Sequence, residues 1–468
     1  MTRPGPPSRS TRLSYADAVD ALTQRGRYGI RLGLERIRAL LDELGNPQAG
    51  IPGALVAGTN GKGSVLALAG SVLRTAGYRV GQTPKPHLVS YRERLEIDGR
   101  PIDADAFSSL VKEILPIADR VAAREGPPTE FELLTAMIFR WFADSEVDLA
   151  LVEVGLGGRL DATHAWDGGV AVVTNVALDH TDRLGSTIEA IAHEKAAIIE
   201  RGDIAVTGAE EPALSIVRTR AQEVGAPLEV VRPARLVSVE RDGIVVDRPG
   251  LGEVRVGLRG RHQAANVAVA DALLDALDAA GIADTTVDER RAGYAAATWP
   301  GRLELLEVPR PGGEDRVDVL LDGAHNPAGA ETLAVALDDL RPFLAGGADA
   351  VPAPLTVVMA TMGDKDVEGI VGAVGAARSM QGATVIATRV ALTRALEPGE
   401  LARVWAARWP QTTVRVEPDA DRAFDSALAG APGPVVVAGS LYLVGAARAR
   451  LVDDPLLRDP APNRTIGT

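Results

Sequence analysis

Short apolar runs and segments with helical spacing alternate along most of the chain. Runs rich in valine, leucine and isoleucine predict buried strands, whereas apolar residues that repeat every three or four positions predict the helices between them. Strands are predicted at residues 54–57, 78–82, 147–154, 170–175, 317–321, 356–360, 383–388, 413–416 and 435–438. Helices are predicted at 34–44, 65–76, 103–124, 187–199 and 264–280. This alternation is typical of the α/β class with largely parallel sheets.

The hydrophobic pattern resets after a Thr-Trp-Pro-Gly-Arg segment at residues 298–302. Because 468 residues exceed what one ordinary core accommodates, we predict two folded units. The first is an N-terminal and central α/β domain over residues 13–299, and the second is a smaller, Rossmann-like α/β domain over residues 300–468. Short alternating runs at 236–256 predict an antiparallel flap within the first domain. Residues 1–12, rich in proline, serine and arginine, are predicted to form a disordered tail.

Composition excludes several classes of protein. The chain has no cysteine, which removes disulfides, thiolate nucleophiles and cysteine-bound zinc. A net charge of −13 argues against a broad nucleic-acid-binding face, which would be basic. There is no apolar run of membrane-spanning length and no apolar signal-peptide core near the N-terminus. We therefore expect a cytoplasmic protein without membrane or nucleic-acid partners.

A glycine-rich segment between a predicted strand and a predicted helix carries the clearest chemical signal. Residues 58–64 read Gly-Thr-Asn-Gly-Lys-Gly-Ser. Glycines let backbone N–H groups surround an anion, and the start of a helix adds partial positive charge. Lys62 brings a full charge to a terminal phosphate, and the Ser64 hydroxyl can reach a Mg²⁺ ion. A glycine-rich turn is by default only a turn, but the combination of strand, glycines, lysine, hydroxyl and helix favours a phosphate-binding loop. The spacing departs from the common motif, because Gly63 separates Lys62 from Ser64.

Several polar residues lie at or just beyond the carboxyl ends of predicted strands. They are Ser64, Lys85, Glu153, Asp179 and His180. Each alone is explained equally well as a capping or surface residue. In open α/β sheets, however, ligands bind at the carboxyl ends of the strands. The shared location therefore favours a site for phosphate and Mg²⁺, a cation that prefers oxygen ligands.

A series of motifs along the chain identifies a family. The motif segments are residues 29–36 (Gly-Ile-Arg-Leu-Gly-Leu-Glu-Arg), 58–64, 131–135 (Phe-Glu-Leu-Leu-Thr), 153–163 (Glu-Val-Gly-Leu-Gly-Gly-Arg-Leu-Asp-Ala-Thr), 260–263 (Gly-Arg-His-Gln), 300–302 (Pro-Gly-Arg), 322–327 (Asp-Gly-Ala-His-Asn-Pro) and 439–441 (Gly-Ser-Leu). In this order the chain resembles folylpolyglutamate synthase/dihydrofolate synthase of the Mur ligase family. The resemblance implies a Mur-ligase-like central domain and an ATP-dependent ligase. Such an enzyme phosphorylates a substrate carboxylate, and L-glutamate then displaces the phosphate to form an amide.

The resemblance also assigns roles to residues of this chain. It implies ATP and two Mg²⁺ ions, with Lys62, Lys195 and His325 as catalytic residues. Nucleotide contacts are implied for Asn60, Gly61, Lys62, Gly63, Ser64, Asn266, Arg302 and Asp322. Metal contacts are implied for Ser64, Glu153, His180 and Lys195, the last as a carbamate; unmodified, Lys195 would be a plain helix-surface lysine. The pterin or folate acceptor is expected at Arg31, Leu32, Gly33, Leu34, Phe131, Glu132, Thr135, Leu160, Asp161 and Ala162.

One residue departs from the family pattern. Where the family has serine as a Mg²⁺ ligand in Ser-Pro-His-Leu, this chain has Lys85, and a protonated lysine cannot ligate a metal. Three explanations are open: Lys85 contacts phosphate directly, Thr83 or water supplies the missing oxygen, or activity is lost. The expected function is a monomeric ligase acting on dihydropteroate, a reduced folate, or both. The alternatives are a Mur-type ligase for another carboxylate and a catalytically weak protein that binds ATP or folate.

Overall fold

The N-terminal part of the chain is built on a large, mostly parallel sheet. The computed structural model describes residues 13–26, 31–312, 315–345 and 352–460, which leaves the predicted 1–12 tail outside the described residues. In this described part, eight strands form one sheet in the order β4-β3-β2-β5-β1-β6-β7-β8. They are β1 (Gly53–Ala57), β2 (Val80–Thr83), β3 (Glu96–Ile97), β4 (Arg100–Pro101), β5 (Leu149–Glu153), β6 (Gly169–Val173), β7 (Ile204–Thr207) and β8 (Leu228–Val230).

Helices cover both faces of this sheet. They are α1 (Tyr15–Gly26), α2 (Glu35–Glu43), α3 (Lys62–Thr75), α4 (Ala104–Glu125), α5 (Glu130–Asp144), α6 (Thr181–Leu184), α7 (Ile188–Ala196), α8 (Ala213–Val224), α9 (Gln263–Ala279) and α10 (Val287–Ala296). Successive side chains of a strand point to opposite faces. On β1, Leu55 and Ala57 pack into one core with α2, α4 and α5, whereas Ala54 and Val56 pack into a second core with α3 and α9. Burial on both faces explains why the sequence shows continuous apolar runs here.

The predicted antiparallel flap is confirmed as a small separate sheet. It consists of β9 (Arg235–Glu240), β10 (Gly243–Arg248) and β11 (Gly252–Val256), in the order β11-β10-β9. Both pairings are antiparallel. The sheet closes over the second core through Ile244, Val246 and Val254, which are the inward-facing residues of the alternating pattern.

The C-terminal part has a sheet and cores of its own. In the order β12-β13-β17-β14-β15-β16, its strands are β12 (Glu304–Pro309), β13 (Arg316–Leu321), β14 (Thr356–Met359), β15 (Thr384–Arg389), β16 (Thr413–Asp419) and β17 (Val435–Ala438). Its helices are α11 (Pro327–Leu340), α12 (Val367–Gly375), α13 (Pro398–Arg408), α14 (Ala420–Gly430) and α15 (Leu441–Leu451). Only β12, which runs antiparallel to β13, is absent from the predicted strands. The α/β class with two domains is confirmed, while the boundary at 299/300 stays a prediction.

The two domains meet at the segment 84–94, which follows β2. A Cβ atom on Gly445 of α15 would lie 1.9 Å from the carbonyl oxygen of Leu88, so only glycine permits this approach. Beyond α15, the chain returns to the N-terminal domain, where the Asp459 carboxylate accepts hydrogen bonds from Ser90 Oγ at 2.6 Å and from Arg92 Nε at 3.3 Å. The C-terminal domain is thus attached both by the connection near residue 300 and by its last residues. Within the described ranges, no helix combines the length and apolarity needed to cross a bilayer.

Candidate active site

A cavity of about 1060 Å³ lies between the two domains. Its N-terminal wall is formed by the segments that follow β1, β5 and β6, and its C-terminal wall by the segments that follow β13, β14 and β17. Parallel strands place their carboxyl ends at one edge of a sheet, so the two sheets present these edges to the same space. The wall residues with predicted roles are Arg31, Leu32, Gly33, Asn60, Gly61, Lys62, Gly63, Ser64, Phe131, Glu132, Glu153, Leu160, Asp161, Ala162, His180, Lys195, Asn266, Arg302, Asp322 and His325.

The glycine-rich segment forms a tight turn before α3. Gly61 has φ +83°, and a Cβ atom there would lie 2.4 Å from Asn266 Oδ1. Both facts require glycine. The Lys62 ammonium folds back over the loop and donates hydrogen bonds to the carbonyl oxygens of Gly58 at 3.0 Å and Thr59 at 3.1 Å. The loop therefore holds its lysine beside the N-terminus of α3, where backbone N–H groups lack helical partners.

The extra glycine of this loop has a packing reason. A Cβ atom on Gly63 would lie 2.6 Å from Cζ2 of Trp299, a residue of the segment that connects the two domains. The indole ring occupies the space that a side chain would need. Ser64, the next residue, is buried and lies 3.5 Å from Nε2 of Gln263. The departure from the common motif thus reflects the close contact between the phosphate-binding loop and the connection.

Glu153 is a buried carboxylate that faces two lysines. Its Oε1 lies 3.8 Å from Lys62 Nζ, and its Oε2 accepts a hydrogen bond of 3.2 Å from the backbone N–H of Lys85. Burial raises the pKa of Glu153, against the opposing charges of Lys62, Lys85 and Arg302. A carboxylate buried at the end of so apolar a strand needs a partner, and these cations are such partners.

Lys85 lies between the phosphate-binding loop and the predicted acceptor pocket. Its ammonium donates a 2.6 Å hydrogen bond to the backbone carbonyl oxygen of Glu153 and lies 4.4 Å from the centre of the Phe131 ring. Burial lowers the pKa of Lys85 to about 8, although the charges of Asp161 and Glu153 favour the protonated form. The lysine that replaces the family serine is therefore part of the cavity wall.

Lys195 is buried, so the alternative of a plain helix-surface lysine is wrong. Its side chain extends from α7 under the phosphate-binding loop and donates a 2.8 Å hydrogen bond to the carbonyl oxygen of Gly58. Burial, together with the charge of Lys62, lowers the pKa of Lys195 to about 7. Because the neutral amine is the form that reacts with CO₂, this environment favours the chemistry of carbamate formation.

Asp179 connects the two walls of the cavity. Its carboxylate accepts hydrogen bonds from Lys365 Nζ at 3.1 Å and from Asn326 Nδ2 at 3.0 Å. Burial alone would raise the pKa of Asp179. The charges of His180 and Lys365, together with these hydrogen bonds, outweigh burial and lower the pKa to about 2. His180 itself has φ +50° and a side chain that is 43% exposed. No role is predicted for Lys365 or Asn326 from the sequence. Both follow strands of the C-terminal sheet, and this position was the signal that could have identified them.

Three predicted residues lie together on the C-terminal wall. Asp322 is buried and accepts hydrogen bonds from the backbone N–H groups of Leu303 at 3.0 Å and Ala324 at 2.9 Å. Burial raises its pKa, and the charge of Arg302 opposes this shift. His325 Nδ1 lies 2.8 Å from the carbonyl oxygen of Gly323, and burial lowers its pKa to about 4. His325 is therefore a neutral imidazole at physiological pH.

Two of the predicted acceptor-binding residues lie behind the cavity wall. Leu34 packs into the core beside α2, and the Thr135 hydroxyl donates to the carbonyl oxygen of Phe131 within α5. Both side chains are buried and do not line the cavity. Glu132 and Asp161 line it but also shape it: Glu132 caps α5 by accepting from the Thr129 N–H at 2.7 Å, and Asp161 accepts from the Leu156 N–H at 2.8 Å.

Comparisons with solved structures support the fold assignment. The chain is similar to Mycobacterium tuberculosis folylpolyglutamate synthase complexed with ADP, with a TM-score of 0.81 and 34% identity, covering 94% of this chain and 99% of the other. It is also similar to E. coli FolC in complex with DHPP and ADP, with a TM-score of 0.76 and 29% identity, covering 95% and 99%. The same two-domain architecture therefore recurs in these structures.

Sequence comparisons agree with the structural ones. Residues 56–274 match the Mur ligase middle domain, and residues 305–449 match the C-terminal domain of dihydrofolate synthetase. The dihydrofolate synthase/folylpolyglutamate synthase of Bacillus subtilis is 32% identical over 449 residues, covering 94% of this chain and 99% of the relative. That of Mycobacterium tuberculosis is 37% identical over 464 residues, covering 90% of each. The chain belongs to the dihydrofolate synthase/folylpolyglutamate synthase family, with a Mur-ligase central domain.

Proposed function

We propose that this protein is an ATP-dependent ligase that joins L-glutamate to the carboxylate of dihydropteroate, of a reduced folate, or of both. One observation carries the proposal: a single cavity is lined by the phosphate-binding loop with Lys62, by the hydrogen-bonded residues Glu153 and Lys85, and by Phe131 of the predicted acceptor pocket. Triphosphate and acceptor carboxylate are thus brought together between two domains. The names of the relatives supply the class of acceptor.

The reaction follows from the chemistry of a carboxylate, which cannot expel oxide and must first gain a leaving group. An acceptor carboxylate oxygen attacks the γ-phosphorus of ATP, the bond to the β-phosphate oxygen breaks, and ADP leaves. The glutamate nitrogen then attacks the acyl carbon, and inorganic phosphate leaves as the C–O bond breaks. Lys62 and the N–H groups at the start of α3 stabilise negative charge on the transferred group. Asn60, Asn266 and Arg302 line the same space and are assigned to the nucleotide.

His325 is suited to the second step. A carbonyl oxygen can only accept a hydrogen bond, so the contact with Gly323 places the proton of the neutral imidazole on Nδ1. Nε2 is then left with a lone pair. In this tautomer, His325 can remove a proton from the glutamate nitrogen as the amide bond forms.

Four residues that line the cavity also suit Mg²⁺. Ser64 and Glu153 offer oxygen donors, His180 offers an imidazole, and a carbamate on Lys195 would add two oxygens. In the described ranges, no three His, Asp or Glu side chains form a metal cluster by themselves, so nucleotide phosphates and the carbamate would complete the ligand set. When bound, Mg²⁺ offsets negative charge on the triphosphate.

Steady-state ADP release tests this function. Purified protein is incubated with Mg²⁺ and ATP, with or without L-glutamate, and with dihydropteroate or a reduced folate as acceptor. We expect ADP release only when acceptor and glutamate are both present, and we expect it to fall at least 100-fold in Lys62→Met. Lys112→Met, on an exposed face of α4, is the matched control and should retain activity.

The alternatives give different results in the same assay. Tight binding of nucleotide and pterin without turnover would indicate a binding protein. ADP release that none of the pterins stimulates would indicate a ligase for another carboxylate acceptor.

A further inference from the structure

Lys85 is a cation that the family pattern does not supply, and its surroundings indicate what it binds. Resting on the function proposed above, we infer that the Lys85 ammonium binds the acceptor carboxylate and holds it beside the γ-phosphate. Lys85 would thus be a substrate-binding residue specific to acids. It would place a fixed positive charge of the protein where the family pattern has a serine that ligates Mg²⁺.

The position of the ammonium supports a contact with the acceptor. Lys85 Nζ lies 4.4 Å from the centre of the Phe131 ring, and both residues line the cavity. The Phe131 ring in turn packs against the backbone of Gly155, where a Cβ atom would lie 2.8 Å from its Cζ and 3.1 Å from Asp161 Oδ2. These residues form the floor of the predicted acceptor pocket. A flat acceptor bound there presents its carboxylate to Lys85 on the way to the phosphate.

The hydrogen bonding of Lys85 leaves donors for an anion. An ammonium has three N–H donors. Among the described residues, the structure gives the Lys85 ammonium one hydrogen-bond acceptor, the carbonyl oxygen of Glu153. Lys85 also lines the cavity, so donors of its ammonium remain for an anion that enters this space.

The local charges also favour an incoming anion. The Glu153 carboxylate is shared between Lys62 at 3.8 Å and the backbone N–H of Lys85, while Arg302 acts on it at longer range. Asp161 is occupied by the N–H groups of Leu156 and Thr163. Three cations, Lys62, Lys85 and Arg302, therefore act on the single carboxylate of Glu153. In the first step two anions must come within about 3–3.5 Å of each other, and a cation between them offsets their repulsion.

Lys62 and Lys85 would then bind different anions. Lys62 is fixed on the phosphate-binding loop by Gly58 and Thr59, so it serves the phosphates. Lys85 serves the carboxylate until the acyl phosphate forms, when the negative charge moves to the phosphoryl oxygens between the two lysines. No proton transfer by Lys85 is required.

The test compares an acid with its neutral analogue. Dissociation constants of dihydropteroate and of its carboxamide are measured by pterin fluorescence, in the presence of Mg²⁺ and a non-hydrolysable ATP analogue. Wild-type protein should prefer the acid. Lys85→Met should weaken binding of the acid at least 10-fold and binding of the amide less than 2-fold, because only the acid forms the charge-assisted bond. Lys85→Arg should recover part of the preference, and the control Lys112→Met should match wild type.

Several results would overturn the inference. Equal weakening for acid and amide would mean that Lys85 only supports the pocket. Unchanged acid binding with weakened binding of the ATP analogue would place the ammonium on the phosphates instead. Wild-type protein that binds acid and amide equally would also refute it. Failure of wild-type protein to bind either pterin would refute the proposed acceptor and, with it, the inference about Lys85. The ADP-release assay with the same pterins distinguishes this outcome, because those pterins would then also fail to stimulate ADP release.

Discussion

The most informative perturbation concerns the buried amine of Lys195. In carbamate formation the neutral amine attacks CO₂ and loses a proton, which converts a cation into an anion beside Lys62. With a pKa of about 7, roughly 90% of the amine is neutral at pH 8, whereas an ordinary lysine of pKa ~10.4 is about 0.4% neutral. The environment thus raises the reactive fraction roughly 200-fold. The neutral fraction falls as the amine is protonated, about fivefold between pH 7 and pH 6 and about tenfold for each pH unit below that.

Carbon-13 NMR of protein equilibrated with ¹³CO₂ measures this modification directly. We expect a carbamate signal in wild type and in the exposed-lysine control Lys112→Met, and no signal in Lys195→Met. The signal should weaken as the pH falls from 8 to 6 at constant CO₂ pressure. ADP release should fall in CO₂-free buffer and return when bicarbonate is added. A wild-type spectrum without the signal across this range, or an equal signal in Lys195→Met, would refute the reasoning.

Three further predictions concern other contacts of the cavity. Gly63→Ala should weaken binding of an ATP analogue at least 10-fold, as measured by calorimetry. The new methyl group would overlap the Trp299 indole ring, and such overpacking costs about 1–3 kcal/mol. The control Gly399→Ala, which adds its methyl group in open space, should leave this binding unchanged. Asp179→Asn should lower the melting temperature, because the ionised Asp179 carboxylate pairs with Lys365. Since the folded protein depresses the pKa of Asp179, the difference in melting temperature between wild type and variant is full above about pH 4 and shrinks toward pH 2. A difference that grows as the pH falls would contradict this. Asp322→Ala leaves two buried N–H groups unpaired, about 1–3 kcal/mol each, and should weaken ATP-analogue binding; unchanged affinity would argue against a site shared by both domains.

The alternating hydrophobic pattern was sufficient to predict most of the fold. Buried parallel strands have apolar residues on both faces, so β1, β5 and β6 appear in the sequence as continuous runs. The strand β12 was missed because it is an edge strand whose residues are partly buried or exposed, except Val308. Its pattern therefore does not differ from that of a loop.

The site was predictable where one strand and its following loop determine a position. Lys62, Glu153 and Lys85 follow neighbouring strands, so they had to meet at one edge of the sheet. The contact between Asp179 and Lys365 joins residues that are 186 positions apart, and no local pattern encodes it. Whether a helical residue such as Thr135 faces a cavity or a core likewise depends on neighbouring elements that are distant in sequence.

Both attachments of the C-terminal domain converge on the segment 84–94. The connection reaches it at Gly301, whose added Cβ would lie 2.9 Å from Leu88, and the last described residues reach it through Asp459, which is bonded to Ser90. Ion pairs away from this segment also join the domains, since Arg241 donates to Asp318 at 2.7 Å and Arg261 donates to Asp339 at 2.5 Å. A change in the angle between the domains would have to break these pairs, whereas the backbone of the segment 84–94 is packed against both domains. Lys85 therefore stands on the part of the cavity wall that such a change would displace least.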